Sequence, residues 1–346
     1  MDSNLGSPPA VAGPTERPQL PIAVSMDGLN RTQPTLYVVV PCYNEEEVLG
    51  ETTRRLAAKL DALAAEGFVS PQSRVVYVND GSSDTTWNLI SAIHAADSRF
   101  QGINLARNVG HQNALLAGLM TVKDQADCVI SLDADLQDDI NAIDSMLAEY
   151  RNGYDVVYGV RDNRDTDTAF KRGTASLFYR FMRSIGSESV PHHADYRLMS
   201  HAALNGLSQF REVGLYLRGM VPMVGYSSTQ VYYKRGERFA GTSKYPFRKM
   251  VALAVDGFMS TNVRPLRIVA WIGTIVFVLA ALFGIFFVIQ WILGWTVPGW
   301  ASIIVSIWAL GGLQLLTLGI IGEYISSIFL EVKDRPRYIV REILGD

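Results

Sequence analysis

Residues 128–139 read Cys-Val-Ile-Ser-Leu-Asp-Ala-Asp-Leu-Gln-Asp-Asp, an apolar run followed directly by polar residues. The apolar part predicts a buried strand. Asp133 and Asp135 come directly after this strand, which is where ligands bind in an open α/β sheet. Carboxylate oxygens suit Mg²⁺ or Mn²⁺. The stretch therefore predicts an α/β sheet whose two carboxylates hold a divalent cation against a diphosphate.

Other short apolar runs on both sides of this stretch predict further strands, at residues 36–40, 75–78, 103–105 and 156–158. Between them, residues 45–66 and 85–96 carry apolar side chains every three or four positions, which is typical of helices. This alternation predicts a parallel, doubly wound sheet with helical crossovers. The two cysteines, Cys42 and Cys128, border apolar strands, so we expect buried, reduced thiols.

The composition narrows the choice of partners. The formal net charge of the 346 residues is only −3, which argues against nucleic acid as the principal partner. Hydrophobic residues make up 48% of the chain, which is high for a soluble protein. Residues 1–34 are rich in proline, glycine and serine, and we expect a disordered N-terminal tail there.

Two long uncharged stretches, residues 268–289 and 301–322, explain the apolar composition. Each is long enough to cross a hydrocarbon layer of roughly 30 Å, so we expect two transmembrane helices within residues 268–330. Arginines precede the first stretch and basic residues follow the second, which places both ends in the cytoplasm. Residues 331–346 are then a basic cytoplasmic tail. Residues 245–258 mix basic and apolar side chains, as an interfacial helix does, although an ordinary domain helix has the same pattern.

The loops after the first two predicted strands end at the same edge of the sheet as the two aspartates. Tyr43 offers an aromatic face and a hydroxyl there, and Glu45 and Asp80 offer acceptors for the donor hydrogens of a nucleobase or ribose. Asp84 and Thr85 are explained well enough by helix capping. These loops predict a nucleoside pocket beside the carboxylate pair.

Four segments in order, residues 40–46, 78–85, 104–110 and 132–138, resemble the inverting GT-A glycosyltransferases of family 2. Residues 194–199, residues 241–245 and the two apolar stretches narrow the resemblance to the polyisoprenyl-phosphate glycosyltransferases. The resemblance implies a GT-A, Rossmann-like cytoplasmic domain at residues 35–240, followed by an acceptor loop and interfacial helices at 241–267. It also implies a membrane-bound homo-oligomer, a tetramer, in the cell envelope.

The implied reaction transfers one sugar from a nucleotide diphosphate donor to a polyprenyl phosphate at the cytoplasmic membrane face, with inversion. The resemblance favours UDP-glucose and undecaprenyl phosphate, and it leaves mannose, N-acetylhexosamine and aminoarabinose donors open. It assigns donor binding to Pro41, Tyr43, Glu45, Val78, Asp80, Asn108 and Ala134, and binding of Mg²⁺ or Mn²⁺ to Asp133, Asp135 and Gln137.

The resemblance also assigns five residues to catalysis and the acceptor. Arg161 and Arg172, or Lys171 in place of Arg172, are expected to hold the lipid phosphate; guanidinium suits this task because it binds phosphate oxygens in pairs. Asp195 is a general base or orients the acceptor, and Arg197 fixes Asp195 or binds the acceptor itself. Lys244 is expected to lie on a mobile loop over the diphosphate. 

Two alternatives remain. A processive polysaccharide synthase shares the start of the fold, but two spans make a poor channel and the Gln-x-x-Arg-Trp motif expected of such a synthase is absent from the sequence. The second alternative is a catalytically silent membrane scaffold, whose nucleotide pocket could have lost its binding residues. The presence of Asp133, Asp135 and Gln137 argues against a scaffold.

Overall fold

A mixed eight-stranded sheet lies at the centre of the described fold. The computed structural model describes residues 31–162, 193–212, 216–234 and 300–345, together with isolated positions between 273 and 293. The strands are β1 Leu36–Cys42, β2 Arg74–Asn79, β3 Phe100–Leu105, β4 Cys128–Ser131, β5 Val156–Arg161, β6 His193–Ser200, β7 Ser228–Tyr233 and β8 Val340–Leu344.

Helices follow most of the strands. They are α1 Leu49–Ala65, α2 Thr86–Ala96, α3 His111–Val122, α4 Ala142–Arg151, α5 His201–Ser208, α6 Leu217–Met223 and α7 Trp300–Val332. The first two agree closely with the helical stretches predicted from the sequence.

The sheet is only partly parallel. Its strand order is β7-β5-β6-β4-β1-β2-β3-β8, and the four central strands β4, β1, β2 and β3 are parallel, as predicted. The prediction of a wholly parallel sheet is wrong, because β6 runs antiparallel between β4 and β5, and β8 runs antiparallel beside β3. Strand β6 escapes the apolar-run criterion because it contains Asp195 and Arg197, whose charges are paired inside the protein.

Both faces of the sheet are covered. Successive residues of β1 point to opposite faces, since side chains alternate along a strand. Val38 and Val40 belong to a core shared with Leu56 of α1, whereas Val39 belongs to a second core shared with Leu115 of α3. The two buried cores explain why β1 has no polar face, and they leave the strand ends as the accessible part of the sheet.

Both segments predicted as tails contain residues that join the domain. Arg31 pairs with Asp155 at 2.7 Å and donates to the carbonyl of Tyr150, so the ordered part begins before residue 35; residues 1–30 lie outside the described residues. In the predicted C-terminal tail, Val340–Leu344 form β8, which pairs with β3 and puts Val340 against the second core.

Helix α7 is 33 residues long, and its part Leu310–Val332 is the one helix among the described residues that is long and apolar enough to cross a membrane. Large apolar side chains such as Ile325 and Ile328 are exposed along it. Most of the first predicted span, residues 268–289, and all of residues 241–267 lie outside the described residues. The second predicted span, residues 301–322, thus lies within α7. The presence of two membrane spans stays a prediction.

Candidate active site

The predicted loops meet at one edge of the sheet. Strands β4, β1 and β2 are parallel neighbours, so their carboxyl ends form a common edge, which we call the rim. The loops after β1 and β2 are bonded to each other: the backbone N–H of Asn44 donates to Ser82 Oγ at 3.0 Å, and that of Glu45 donates to Thr86 Oγ1 at 3.0 Å. The two loops therefore present one connected surface beside Asp133 and Asp135.

Residues predicted for the nucleoside pocket divide into two groups. Pro41 and Val78 are buried in or beside their strands, so they can shape the pocket only from beneath. Tyr43 is exposed at the rim and Glu45 is half-buried, so both are accessible to a ligand. The structure thus separates the residues predicted for the nucleoside pocket into buried ones and accessible ones, and their role in binding stays a prediction.

Asp80 holds the next loop of the rim in place. Its buried carboxylate accepts hydrogen bonds from the backbone N–H groups of Val109 at 2.7 Å and Gly110 at 3.0 Å. Burial raises the pKa of Asp80, and these two hydrogen bonds oppose the shift. The predicted acceptor for ribose or base thus already fixes residues 106–110, which carry the exposed Asn108 and lead into α3.

Gly81 allows that loop to approach closely. Its φ is +63°, and a Cβ there would lie 2.5 Å from the backbone nitrogen of Asn108 and 2.7 Å from the carbonyl carbon of Arg107. Only glycine satisfies both the conformation and the space without displacing the neighbouring backbone.

The Asp133-Ala134-Asp135 turn is held in place by a hydrogen bond from α1. Thr52 of α1 donates its hydroxyl to the carbonyl of Ala134 at 2.9 Å, and the Ala134 side chain is buried. The backbone N–H of Gln137 donates to Asp135 Oδ1 at 3.2 Å. These contacts leave Asp133 and Asp135 partly accessible at the rim, as the sequence predicts.

His111, which the sequence analysis did not single out, lies between two carboxylates. Its Nε2 is 3.5 Å from Asp133 Oδ1 and 3.6 Å from Asp195 Oδ2. Partial burial raises the pKa of Asp133 to about 6; His111 opposes this shift, and the carboxylates of Asp138, Asp195 and Asp135 add to it. As the first residue of α3, His111 has no short-range sequence signal that would predict this contact.

The donor set fits a divalent cation that is completed by a ligand. Among the described residues, no three His, Cys, Asp or Glu side chains form a complete metal site. Mg²⁺, however, is commonly held by one or two carboxylates plus substrate phosphates and waters. Burial is the main cause of the raised pKa of Asp133, and the neighbouring carboxylates of Asp138, Asp195 and Asp135 add to it; a bound cation would stabilise the ionised form against both effects. Asp133 and Asp135 are therefore suitable for a cation that a diphosphate also binds.

Asp195 lies on β6 in the sheet and is bound by two arginines. Its carboxylate accepts from Arg197 Nη2 at 2.6 Å, and from Arg218 Nε at 3.1 Å and Nη2 at 3.0 Å. Burial favours a higher pKa for Asp195, but Arg197 and Arg218 outweigh it and lower that pKa below its usual range. A carboxylate so stabilised is a poor proton acceptor, which favours the orienting role over the general base.

Two arginines predicted for the acceptor site, Arg161 and Arg197, form ion pairs within the protein. Arg197 is 2% exposed and donates from Nη1 to the carbonyl of Leu217, so of its two predicted roles the structure shows the pairing with Asp195. Arg161 Nη2 lies 3.1 Å from Asp138 Oδ1, and its Nε donates to Tyr233 Oη at 3.3 Å. Arg172 and Lys244 lie outside the described residues.

Arg218 is the second residue that the sequence analysis missed. It lies on α6, a short helix whose Leu217 N–H donates to Gln112 Oε1 of α3 at 2.9 Å. Its partner Asp195 is 23 positions away, beyond the reach of any local pattern.

Comparisons with known proteins identify the family of the chain. A family model described as glycosyl transferase family 2 matches residues 37–207. The chain is 50% identical over 312 residues to the uncharacterized glycosyltransferase YkoT of Bacillus subtilis, covering 90% of this chain and 93% of the relative. It is 36% identical over 310 residues to the SfII prophage-derived bactoprenol glucosyl transferase of Shigella flexneri, covering 88% of this chain and 97% of the relative.

Among solved structures, glucosyl-3-phosphoglycerate synthase from Mycobacterium tuberculosis, in complex with Mn²⁺, UDP and glucosyl-3-phosphoglycerate, has a TM-score of 0.41 at 15% identity. The match covers 64% of this chain and 76% of that one.

The mixed α/β sheet with ligand-accessible loops at its rim, together with the family match, supports the GT-A fold and defines a sugar-transferring enzyme. The chain belongs to glycosyltransferase family 2, and within it to the polyisoprenyl-phosphate glycosyltransferases, enzymes that transfer a hexose.

Proposed function

We propose that this protein transfers a single sugar, with inversion, from a nucleotide diphosphate donor to the phosphate of a membrane polyprenol at the cytoplasmic face. UDP-glucose and undecaprenyl phosphate are the favoured pair. The observation that carries the proposal is the carboxylate pair Asp133 and Asp135 at the rim, beside the connected loops after β1 and β2. The relatives named bactoprenol glucosyl transferase support the lipid acceptor and the glucose.

The exposure and contacts of the rim residues support the roles that we propose for them. Tyr43 and Glu45 bind the nucleoside, while Asp80 and Asn108 shape the pocket through residues 106–110. Asp133 and Asp135, with Gln137, would hold Mg²⁺ or Mn²⁺, which when bound supplies Lewis-acid stabilisation of the leaving nucleotide. Since the acceptor phosphate is already anionic near neutral pH, the reaction does not depend on Asp195 as a base. Arg161, Arg172 and Lys244 are proposed to contact the acceptor phosphate and the diphosphate.

The link between α7 and the sheet supports a reaction beside the membrane. Helix α7 ends at Val332 and β8 begins at Val340. The chain spans at most about 3.6 Å per residue, so these eight steps reach no further than about 30 Å. The sheet edge at β3, which pairs with β8, therefore lies within about 30 Å of the end of α7. A multi-pass topology in the cell membrane with both ends cytoplasmic, and a homotetramer, belong to the same proposal.

The direct test is a donor screen. Full-length protein in detergent, supplied with Mn²⁺ or Mg²⁺ and polyprenyl phosphate, is incubated with a panel of radiolabelled nucleotide sugars, and the lipid fraction is counted. We expect one donor to label the lipid with a single sugar, as measured by product mass. Products that carry many sugars would indicate the processive synthase, and no labelling with any donor would indicate the scaffold.

The carboxylate pair is tested by Asp135→Ala with Asp124→Ala as a matched control. Asp124 is 71% exposed and pairs with Lys123 at the surface, so its loss removes a carboxylate away from the rim. Asp135→Ala should abolish metal-dependent donor binding and transfer without lowering the unfolding temperature, whereas Asp124→Ala should retain both activities. Full activity of Asp135→Ala would show that the turn at 133–135 does not hold the cation.

A further inference from the structure

Two arginines share one carboxylate beside the rim, and they differ in exposure. Asp195 accepts hydrogen bonds from Arg197 on the same strand and from Arg218 on α6. The Arg197 side chain is 2% exposed, whereas that of Arg218 is 42% exposed. The buried arginine therefore stabilises the carboxylate, and the exposed arginine is presented to the solvent.

The charges in this group do not cancel. One carboxylate and two guanidinium groups leave a net charge of +1, fixed by contacts of 2.6–3.0 Å. Arg218 uses Nε and Nη2 to bind Asp195, and within the described residues its Nη1 donates to no acceptor. An exposed arginine normally gains little from an ion pair, because holding its long side chain in one geometry costs entropy. Here the bidentate contact with a buried carboxylate fixes one side of the guanidinium and leaves donors on the other.

This surplus charge lies close to Asp133, one of the two carboxylates that we propose to hold the cation. His111 Nε2 lies 3.6 Å from Asp195 Oδ2 and 3.5 Å from Asp133 Oδ1, so a single imidazole separates the two carboxylates. Arg218 Nη2 binds that same Asp195 Oδ2 at 3.0 Å. Gln112, the neighbour of His111 on α3, accepts from the N–H of Leu217 and fixes α6 relative to α3.

We propose that Arg218 binds phosphate oxygens of a reactant at the rim, and that Asp195 and Arg197 are positioning residues that hold its guanidinium. This inference rests on the proposed function, which it deepens by naming a phosphate-contacting residue. A pre-oriented guanidinium suits a phosphate because it offers parallel N–H donors and loses little side-chain entropy on binding. The phosphate belongs either to the nucleotide diphosphate or to the lipid acceptor, which have the same chemistry.

The test compares Arg218→Ala and Arg218→Lys with Arg54→Ala. Arg54 is 69% exposed and forms an ion pair with Glu51 on α1, away from the rim. Its substitution therefore removes an exposed, ion-paired arginine that has no predicted role. In one arm, UDP with Mn²⁺ is titrated into full-length protein in detergent. In the other, the KM and kcat for polyprenyl phosphate are measured.

Removal of a charge-assisted hydrogen bond weakens binding by about 10- to 100-fold. We expect Arg218→Ala to show this loss in UDP affinity if it binds the donor, or in the KM for the lipid if it binds the acceptor. Arg218→Lys should lose less than Arg218→Ala, since lysine keeps the positive charge but cannot donate two parallel hydrogen bonds as guanidinium does. Values within twofold of the unsubstituted protein in both arms, as expected for Arg54→Ala, would overturn the inference.

The positioning role has its own readout. Asp195→Asn should impair the same quantity as Arg218→Ala, either the affinity for UDP or the KM for the lipid. The double variant should lose no more than Arg218→Ala alone, because the effects of coupled residues are not additive. Additive losses would show that Asp195 acts independently of Arg218. If the unsubstituted protein transfers no sugar, the proposed function fails, and the titration with UDP and with inorganic pyrophosphate still decides whether Arg218 binds phosphate.

Discussion

The close approach at Gly81 makes a quantitative prediction for Gly81→Ala. A Cβ would lie 2.5 Å from the nitrogen of Asn108, where ordinary contact begins at 3.4 Å, so the backbone must move by 3.4 − 2.5 = 0.9 Å. The positive φ of +63° costs an alanine about 1 kcal/mol. Overpacking against backbone adds about 1–3 kcal/mol. We therefore expect a loss of about 2–4 kcal/mol in the free energy of unfolding.

The displacement should affect catalysis as well as stability. Residues 107–110 carry Asn108 and lead to His111, which lies 3.5 Å from Asp133. A misplacement of 1 Å in a catalytic site can cost about 100-fold in rate. We expect the kcat/KM for the nucleotide sugar to fall by about that factor, measured by lipid labelling in detergent.

Gly67→Ala provides the matched control. Gly67 has a similar φ of +70°, yet nothing lies within 4 Å of the added Cβ. It should therefore lose only the conformational cost of about 1 kcal/mol and keep full transfer activity. Equal unfolding temperatures and equal kcat/KM values for the two variants would refute the steric reasoning.

Three further predictions concern protonation, thiols and the sheet edge. Because the pKa of Asp133 is raised from 3.8 to about 6, its contribution to stability in metal-free protein is present below about pH 4 and lost as the pH rises through 6. Asp133→Asn should flatten that part of the pH–stability curve with a chelator present, and an unchanged slope would contradict the assignment. Burial raises the pKa of the Cys42 and Cys128 thiols, so a thiol reagent should label neither in the folded protein and both after unfolding; rapid labelling of the folded protein would disprove it. Deletion of residues 340–346 uncovers the edge of β3, so it should lower the unfolding temperature and increase aggregation, measured by size-exclusion chromatography. Glu342→Ala, which keeps the strand, should leave both the unfolding temperature and the elution profile unchanged.

The central sheet was predictable because its signals are local. Strands β1, β2, β3 and β4 are mostly buried, and each contains a short apolar run that is followed by polar residues, so the sequence indicates both the strands and the rim. Strands β6, β7 and β8 were missed because they carry charged, alternating or exposed side chains. Strand β6 tolerates its charges only because partners from α6 and its own strand compensate them.

The same difference separates the site residues. Asp133 and Asp135 follow a strand directly, so their position is readable from the sequence. The pairing of Asp195 with Arg197 was one of two roles predicted for Arg197, because the two residues are only two positions apart in the sequence. His111 and Arg218 join the site only through folding, across 22 and 23 positions from Asp133 and Asp195, respectively. Their roles depend on tertiary contacts that leave no periodic pattern.

The pairing of β8 with β3 has a consequence for biosynthesis. Strand β3 ends at Leu105, whereas its antiparallel neighbour begins at Val340, after the whole of α7. A ribosome must therefore synthesise more than 200 further residues, apolar helix included, before that edge receives its hydrogen-bonding neighbour. Completion of the sheet is therefore a late event in synthesis, and until then the hydrogen-bonding groups along the edge of β3 have no strand beside them.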